Sequence, residues 1–386
     1  MPVNLWDADQ ASRLKGGLDE LVYRSNLLGA DRSVANWGGG NTSMKTIERD
    51  FRDREVEVMW VKGSGSDLAT ITAKGFTALR LDDIRPLMER DEMTDEEMVA
   101  YLGHCMMDAK HPRASIETLL HAFLPFKHVD HTPPDAIISL CCADNGRRIA
   151  EEIYGDRLVW VPYIRPGFTL SKMIAEGVKN NPKAELVLME KHGLVTWGET
   201  SEECYRNTLR IIGEAERYIE ARVKPERLFG GVRHKALPPE ERRRLVAAVM
   251  PAIRGAVSEE KRMLLTFDDS EDVLQFVNSN DAKELSQIGA ACPDHLVHTK
   301  RVPLFVDWDP QSQDADVLDA AVLFAHLAAG ALDDRFRQAE PLGDREGVAS
   351  ARHADEQPVG RAERPDVKFH AGVDDAFAVV GVRLQL

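Results

Sequence analysis

Apolar and polar positions along the chain fall into stretches of different period. Over residues 7–28 the apolar residues Ala11, Leu14, Leu18, Leu21 and Val22 recur at helical spacing, which predicts an amphipathic opening helix. A glycine-rich turn follows, and "VEVMWVKGSGSD" then reads as a strand over 56–61 that runs into a second glycine loop. Helices are predicted at 94–109 and 115–124. In the second, Ser115 is the candidate N-cap, and Ile116, Leu119, Leu120, Phe123 and Leu124 form the stripe to be buried. "AIISLCC" (136–142), "RLVWVPY" (157–163) and "AELVLME" (184–190) read as strands, alternating with helical patterns at 144–154, 168–179 and 200–222. That alternation predicts an α/β or α+β domain ending near residue 228.

"FGGVRHKALPPEERRR" (229–244) combines Gly-Gly, Pro-Pro and a charge run, as a linker would, and leads into a smaller α/β segment that ends near 310. Beyond it the composition shifts towards Ala, Asp, Gly and Arg, with Lys368 as the lone lysine. A helix is predicted at 316–332 of this tail, and the remainder of 311–386 is weakly specified.

Composition narrows the setting. With 386 residues and 43% apolar content the chain can bury a substantial core, enough for two domains or for one large domain with an appendage. The acidic start "MPVNLWDADQ" lacks the pattern of a signal peptide, and no apolar run approaches the roughly 18 residues of a membrane span. Five cysteines without CxxC spacing do not make a disulfide framework, so a cytoplasmic protein is expected. A net charge of -15 disfavours nucleic acid and anionic membranes as partners; an anionic substrate would have to be held by local donors.

Three signals carry candidate chemistry. "GGGNTS" (38–43) and "KGSGSD" (62–67) are loops in which glycine permits close backbone approach, while Asn41, Thr42, Ser64 and the amides near Gly65 supply neutral donors suited to a phosphate. Taken singly, each loop is more often an ordinary tight turn. In "SIETLLHAFL", Glu117 and His121 stand one helical turn apart on the face that the apolar stripe leaves free. In "HVDHTPP" and "LMEKHGLVTWG" a histidine closes a strand, which alone is more often structural; two such segments with a helical glutamate make a recognisable metal set.

This order of motifs, G-N-T-S, K-G-S-G, S-x-E on a helix, a strand-end histidine and then "KHG", resembles the class II aldolase/adducin family over about residues 8–225. The wording of "HVDHTPPDAIISLCCADNG", "VPYIRPGF" and "CPDHLVHTKRVPLFVDWDP" is similar to the aldolase half of bifunctional rhamnulose-1-phosphate aldolase/short-chain dehydrogenase proteins. The resemblance implies a three-layered α/β domain and a divalent metal, usually zinc, held by His131 and His192. It implies Glu117 as the catalytic proton shuttle and a further metal ligand, and Asn41, Ser64, Gly65 and Ser115 as holders of the substrate phosphate. It also implies a homo-oligomer, by family habit a tetramer. The expected activity is cleavage of a ketose 1-phosphate, in the first place L-rhamnulose 1-phosphate, to dihydroxyacetone phosphate and lactaldehyde. The rivals are a same-fold sugar-phosphate epimerase or dehydratase, and a non-catalytic adducin-like binding protein.

Two departures from the family pattern stand out. Pro133 occupies the position of a second strand histidine and offers no donor atom, and in a regular strand His128 faces away from His131. Glu117, His131 and His192 remain as a Glu/His/His set. Relatives of the bifunctional type continue into a dehydrogenase, but the sequence has no G-x-x-x-G-x-G after a strand and no Y-x-x-x-K, so no dehydrogenase activity is expected of it.

Overall fold

A computed structural model describes residues 2–258, 264–296 and 301–309. The predicted opening helix is broken over residues 12–16 into a short α1 (Ala8–Ala11) and α2 (Gly17–Ala30). Next come β1 (Asn41–Arg49), β2 (Glu55–Lys62), β3 (Phe76–Arg80), α3 (Leu81–Ile84), α4 (Asp95–Cys105), α5 (Thr118–Phe123) and β4 (His128–Thr132). They lead to α6 (Asp135–Cys141), α7 (Gly146–Tyr154), β5 (Leu158–Val161), α8 (Phe168–Asn180), β6 (Leu186–Met189), β7 (Gly193–Gly198) and α9 (Ser201–Glu220). The strands pair into one seven-stranded sheet in the order β3-β2-β1-β4-β7-β6-β5, antiparallel except for the parallel pair β5–β6.

Side-chain alternation makes this sheet the middle of three layers. Leu186 and Leu188 of β6 pack with Leu28, Ile137, Tyr154 and Ile212 from α2, α6, α7 and α9. The intervening Val187 and Met189 pack on the other face with Leu120, Leu170 and Ile174 from α5 and α8. The expected three-layered α/β domain is therefore the observed one.

The centre of the sheet buries polar groups on both faces, many of them paired. Towards α2, Arg24 pairs with Asp130 at 2.9 Å with both side chains fully buried, and donates to His128 Nδ1 and to the Ser43 carbonyl, each at 2.8 Å. Burial and the neighbouring Arg24 charge push His128 down to about 3, so it stays neutral as an acceptor. Towards α5, the Lys45 ammonium donates to the carbonyls of His121 (3.0 Å), Leu124 (2.6 Å) and Phe126 (2.6 Å), closing the C-terminal end of that helix.

The structure alters several sequence-based assignments. "AIISLCC" forms helix α6, not a strand: the prolines at 133 and 134 end β4, Pro134 stands at the N-cap and Asp135 occupies the first turn. A short apolar run has no period by which a buried strand could be told from a buried helix. The helix predicted at 115–124 begins only at Thr118; Ser115 is not its N-cap, but its Oγ accepts from the Glu117 amide at 3.3 Å. Strands β1 and β3 were not distinguished by sequence pattern.

By contacts the chain divides into a first unit, up to Val223 with a returning segment Ala290–His298, and a second unit that holds the rest. The second unit's described residues form α10 (Pro239–Ser258), α11 (Glu271–Val277) and α12 (Ala282–Ser286), with Val249 and Ile253 packed on Val306 and Trp308. They contain no strand, because Leu245, Val249 and Ile253 recur at helical spacing. The tail 311–386, including the helix predicted at 316–332, lies outside the described residues. Among the described residues no helix is long and apolar enough to cross a membrane.

Asp130→Ala would strand the Arg24 guanidinium in the interior. Breaking a buried pair in this way costs about 3–5 kcal/mol, and urea unfolding of the variant should show a loss of that order. A loss under about 1 kcal/mol would mean that the pair does not hold β4 in place.

Candidate active site

The site is assembled on the face of the sheet that carries α5. Antiparallel pairing sets Asn41 of β1 beside His131 of β4 and His131 beside Val195 of β7. Gly40, at φ 71, lets the chain turn into β1 against β4; a Cβ there would lie 2.8 Å from the His131 carbonyl. His131 Nδ1 donates to the Leu194 carbonyl at 2.9 Å, which fixes the tautomer and leaves Nε2 facing the site without an aligned hydrogen bond. His192 is held in the turn between β6 and β7, its amide donating to the Met189 carbonyl at 3.1 Å.

Glu117 joins these parts from the N-terminal end of α5. Its Oε1 lies 2.8 Å from His192 Nε2 and 3.3 Å from His131 Nε2, and the two imidazoles stand edge to face with centroids 5.0 Å apart. Its Oε2 accepts from Asn41 Nδ2 at 2.6 Å. Asn41 Oδ1 in turn receives His121 Nε2, and His121 Nδ1 meets the Ser43 hydroxyl at 2.8 Å, so a buried relay backs the carboxylate. Burial works to raise the Glu117 carboxyl, but the charge and contact of His131, and then of His192, hold it well below the usual carboxylate range. Burial opposes a proton on His131, yet the Glu117 carboxylate raises it to about 9. Burial keeps His121 neutral, well below the ordinary imidazole value.

The residues singled out in sequence meet here to different degrees. Glu117, His131 and His192 come together with ligand atoms all within 4.8 Å of one another. Asn41 is beside them, with its amide committed to Glu117. Ser64 and Gly65 lie in a loop tied to the other glycine loop by Asp67, which accepts from the Gly38 amide at 2.8 Å and pairs with Arg32 at 3.0 Å. Ser115 sits beside Glu117 in the chain, and Ser64 donates its amide to the Arg113 carbonyl at 3.0 Å. The remaining histidines near this site are engaged elsewhere, His128 with Arg24 and His121 with Asn41 and Ser43.

Two further residues were not singled out. Lys62, the first residue of "KGSGSD", is buried, and its ammonium makes no hydrogen bond or ion pair among the described residues. Burial lowers its ammonium, offset in part by the charges of Asp294, Glu117 and Asp67. The glycines of that motif drew attention to neutral donors and away from the cation at its head. Asp294, in "CPDH", belongs to the returning segment, and no spacing in the sequence relates it to residues 40–192.

Residues 19–219 match the class II aldolase and adducin N-terminal domain. The chain belongs to the class II aldolase and adducin family. Residues 244–329 match the second domain of class II aldolases. The chain is 69% identical over 326 residues to a Bacillus subtilis (strain 168) protein named "Uncharacterized oxidoreductase YuxG", a match that takes in 83% of this chain but only 47% of that protein. It is 42% identical to the solved N-terminal class II aldolase domain of a conserved protein from Thermoplasma acidophilum, with a TM-score of 0.53 over 56% of this chain and 99% of that one.

Class II aldolases typically depend on a divalent metal, and the residues present fit one: a carboxylate, an imidazole oriented by a backbone carbonyl, and a second imidazole converge on one point. An ion held there needs neutral imidazoles, so below about pH 9 it has to displace a proton from His131. Affinity for Zn2+ or Mn2+, measured by chelator competition, should therefore rise by about tenfold per pH unit between roughly 6.5 and 9 and then level off. A flat profile across that window would mean that Glu117 does not hold His131 protonated there.

Proposed function

We propose that this chain catalyses metal-dependent retro-aldol cleavage of a ketose 1-phosphate, with L-rhamnulose 1-phosphate as the leading substrate and dihydroxyacetone phosphate and lactaldehyde as products. The observation that carries the reading is the convergence of Glu117, His131 and His192 beside two linked glycine loops. Zinc is the metal this donor set suits best. Family habit adds a homo-oligomer as the working form, tetrameric in the first place.

In this reading His131 and His192 would hold the ion, which would supply Lewis acidity against the negative charge that builds on the ketose fragment. Glu117, ionised at rest because two imidazoles flank it, takes the proton from the C4 hydroxyl. The C3–C4 bond breaks, its electron pair moves towards C3 and the carbonyl, and lactaldehyde departs. Glu117 then returns the proton to C3 of the dihydroxyacetone phosphate fragment. Asn41 orients the carboxylate through Oε2, leaving Oε1 for proton transfer. The phosphate falls to Ser64, the amides at Gly65 and Ser115, with Lys62 adding the positive charge that an acidic chain must supply locally.

The word oxidoreductase in the name of the Bacillus subtilis relative belongs to a protein of which this chain spans 47%, and the donor set at hand favours the lyase. Epimerase or dehydratase chemistry would use the same charge stabilisation and differs only in the product. Purified protein loaded with Zn2+ and assayed on several ketose 1-phosphates should release dihydroxyacetone phosphate. If the protein takes up metal but consumes those substrates without forming that product, the same-fold rivals take over; if it takes up none, the binding-protein reading does.

Glu117→Gln keeps the shape of the side chain but removes the base, and should lower kcat by about 10²-fold or more. Activity within about threefold of wild type would reject the shuttle. Lys62→Met should raise KM for the phosphorylated ketose well above any change for the unphosphorylated sugar; equal changes for both would place Lys62 away from the phosphate.

A further inference from the structure

The segment Ala290–His298 leaves the second unit in sequence but belongs to the first by its contacts. Cys142, next to helix α6, donates its thiol to the Ala291 carbonyl at 3.1 Å and anchors the start of this segment. The chain then makes a short turn over Pro293–Leu296, and Asp294 Oδ2 accepts from the Gly40 amide at 3.2 Å. Gly40 precedes Asn41, whose amide holds Glu117. Asp294 packs closely on this loop, since a Cβ on Gly39 would lie 3.1 Å from its own Cβ. Its carboxylate is therefore held against the loop that leads into Asn41. Burial and the Glu117 charge push its carboxyl up, while His131 and His192 pull it down.

We propose that Asp294 is a working residue of this site, a second carboxylate that strengthens its hold on a divalent cation where Pro133 supplies no imidazole. The inference rests on the metal reading given above. A divalent ion held by one carboxylate and two neutral imidazoles keeps a net positive charge in a buried setting, where an opposite charge nearby is worth far more than in water. A third imidazole would add a donor without changing that charge, whereas an ionised Asp294 would offset it. Its ligand atoms fall outside the close group formed by Glu117, His131 and His192, so it is a positioning and charge-balancing residue, comparable to the outer partners that tune other metal sites. It also makes the site depend on a stretch beyond the residues, 19–219, that match the N-terminal domain.

The test is metal affinity, which needs no substrate. Asp294→Asn keeps the size of the side chain and an oxygen for the Gly40 amide, so it isolates the charge; Asp294→Glu keeps the charge. Chelator competition with Zn2+, together with the visible spectrum of the Co2+-loaded protein, would be recorded for both variants and for wild type, after circular dichroism and thermal melting have shown native folding. Removing an outer partner typically costs 10–100-fold in affinity, so Asp294→Asn should bind about 10-fold or more weakly and Asp294→Glu within about threefold of wild type. Adding Pro133→His to Asp294→Asn should recover affinity. Native affinity in Asp294→Asn overturns the proposal while leaving the metal reading intact. A wild-type protein that binds neither ion overturns both. Equal loss in Asp294→Asn and Asp294→Glu assigns the segment a structural role only, and also overturns it.

Discussion

A one-residue slip of β4 against β1 would turn His131 towards helix α2 and leave Asn41 without it, because successive side chains of a strand face opposite ways. The register is held by buried polar groups that leave no tolerable alternative. Arg24 reaches Asp130, His128 and the Ser43 carbonyl from one face, while Ser43 reaches His121 from the other. Each would lose its partner on slipping, and an unpaired buried polar group is costly. The same pairs locate α2 and α5, the helices on either side of the sheet.

From this register follows the environment of Glu117. Its carboxylate is shared among His131 from β4, His192 from the turn before β7 and Asn41 from the start of β1. Three chain segments far apart in sequence thus meet at one side chain, and none reaches it without the antiparallel order β1-β4-β7. The Asn41 amide links this group to the buried relay through His121 and Ser43, so the polar core that fixes the register also orients the candidate base.

Charge is distributed with similar economy. The chain is strongly acidic, yet two lysines lie in the interior of this unit. Lys45 is spent on three carbonyls at the end of α5 and acts in the framework. Lys62 has no such partner among the described residues and stands next to the glycine loop, which suits it to an anionic ligand. Burial lowers both ammonium groups, and the difference between them lies in what surrounds the nitrogen.

Much of this unit was legible in the sequence. Helical spacing located α8 and α9, apolar runs located β5 and β6, and the ordered motifs picked out Glu117, His131 and His192, since residue type and local period are properties of short stretches. Where the local pattern carried no period, it failed: "AIISLCC" became a helix because two prolines stopped the strand before it. What lay beyond a short stretch could not be read at all. That Arg24 would answer Asp130, that Asn41 would serve Glu117, that Lys62 would be buried without a partner, and that Asp294 would return to the loop at Gly40 depend on strand order and register. Those are set by the packing of the whole unit, because only the folded chain brings such distant residues within hydrogen-bond range.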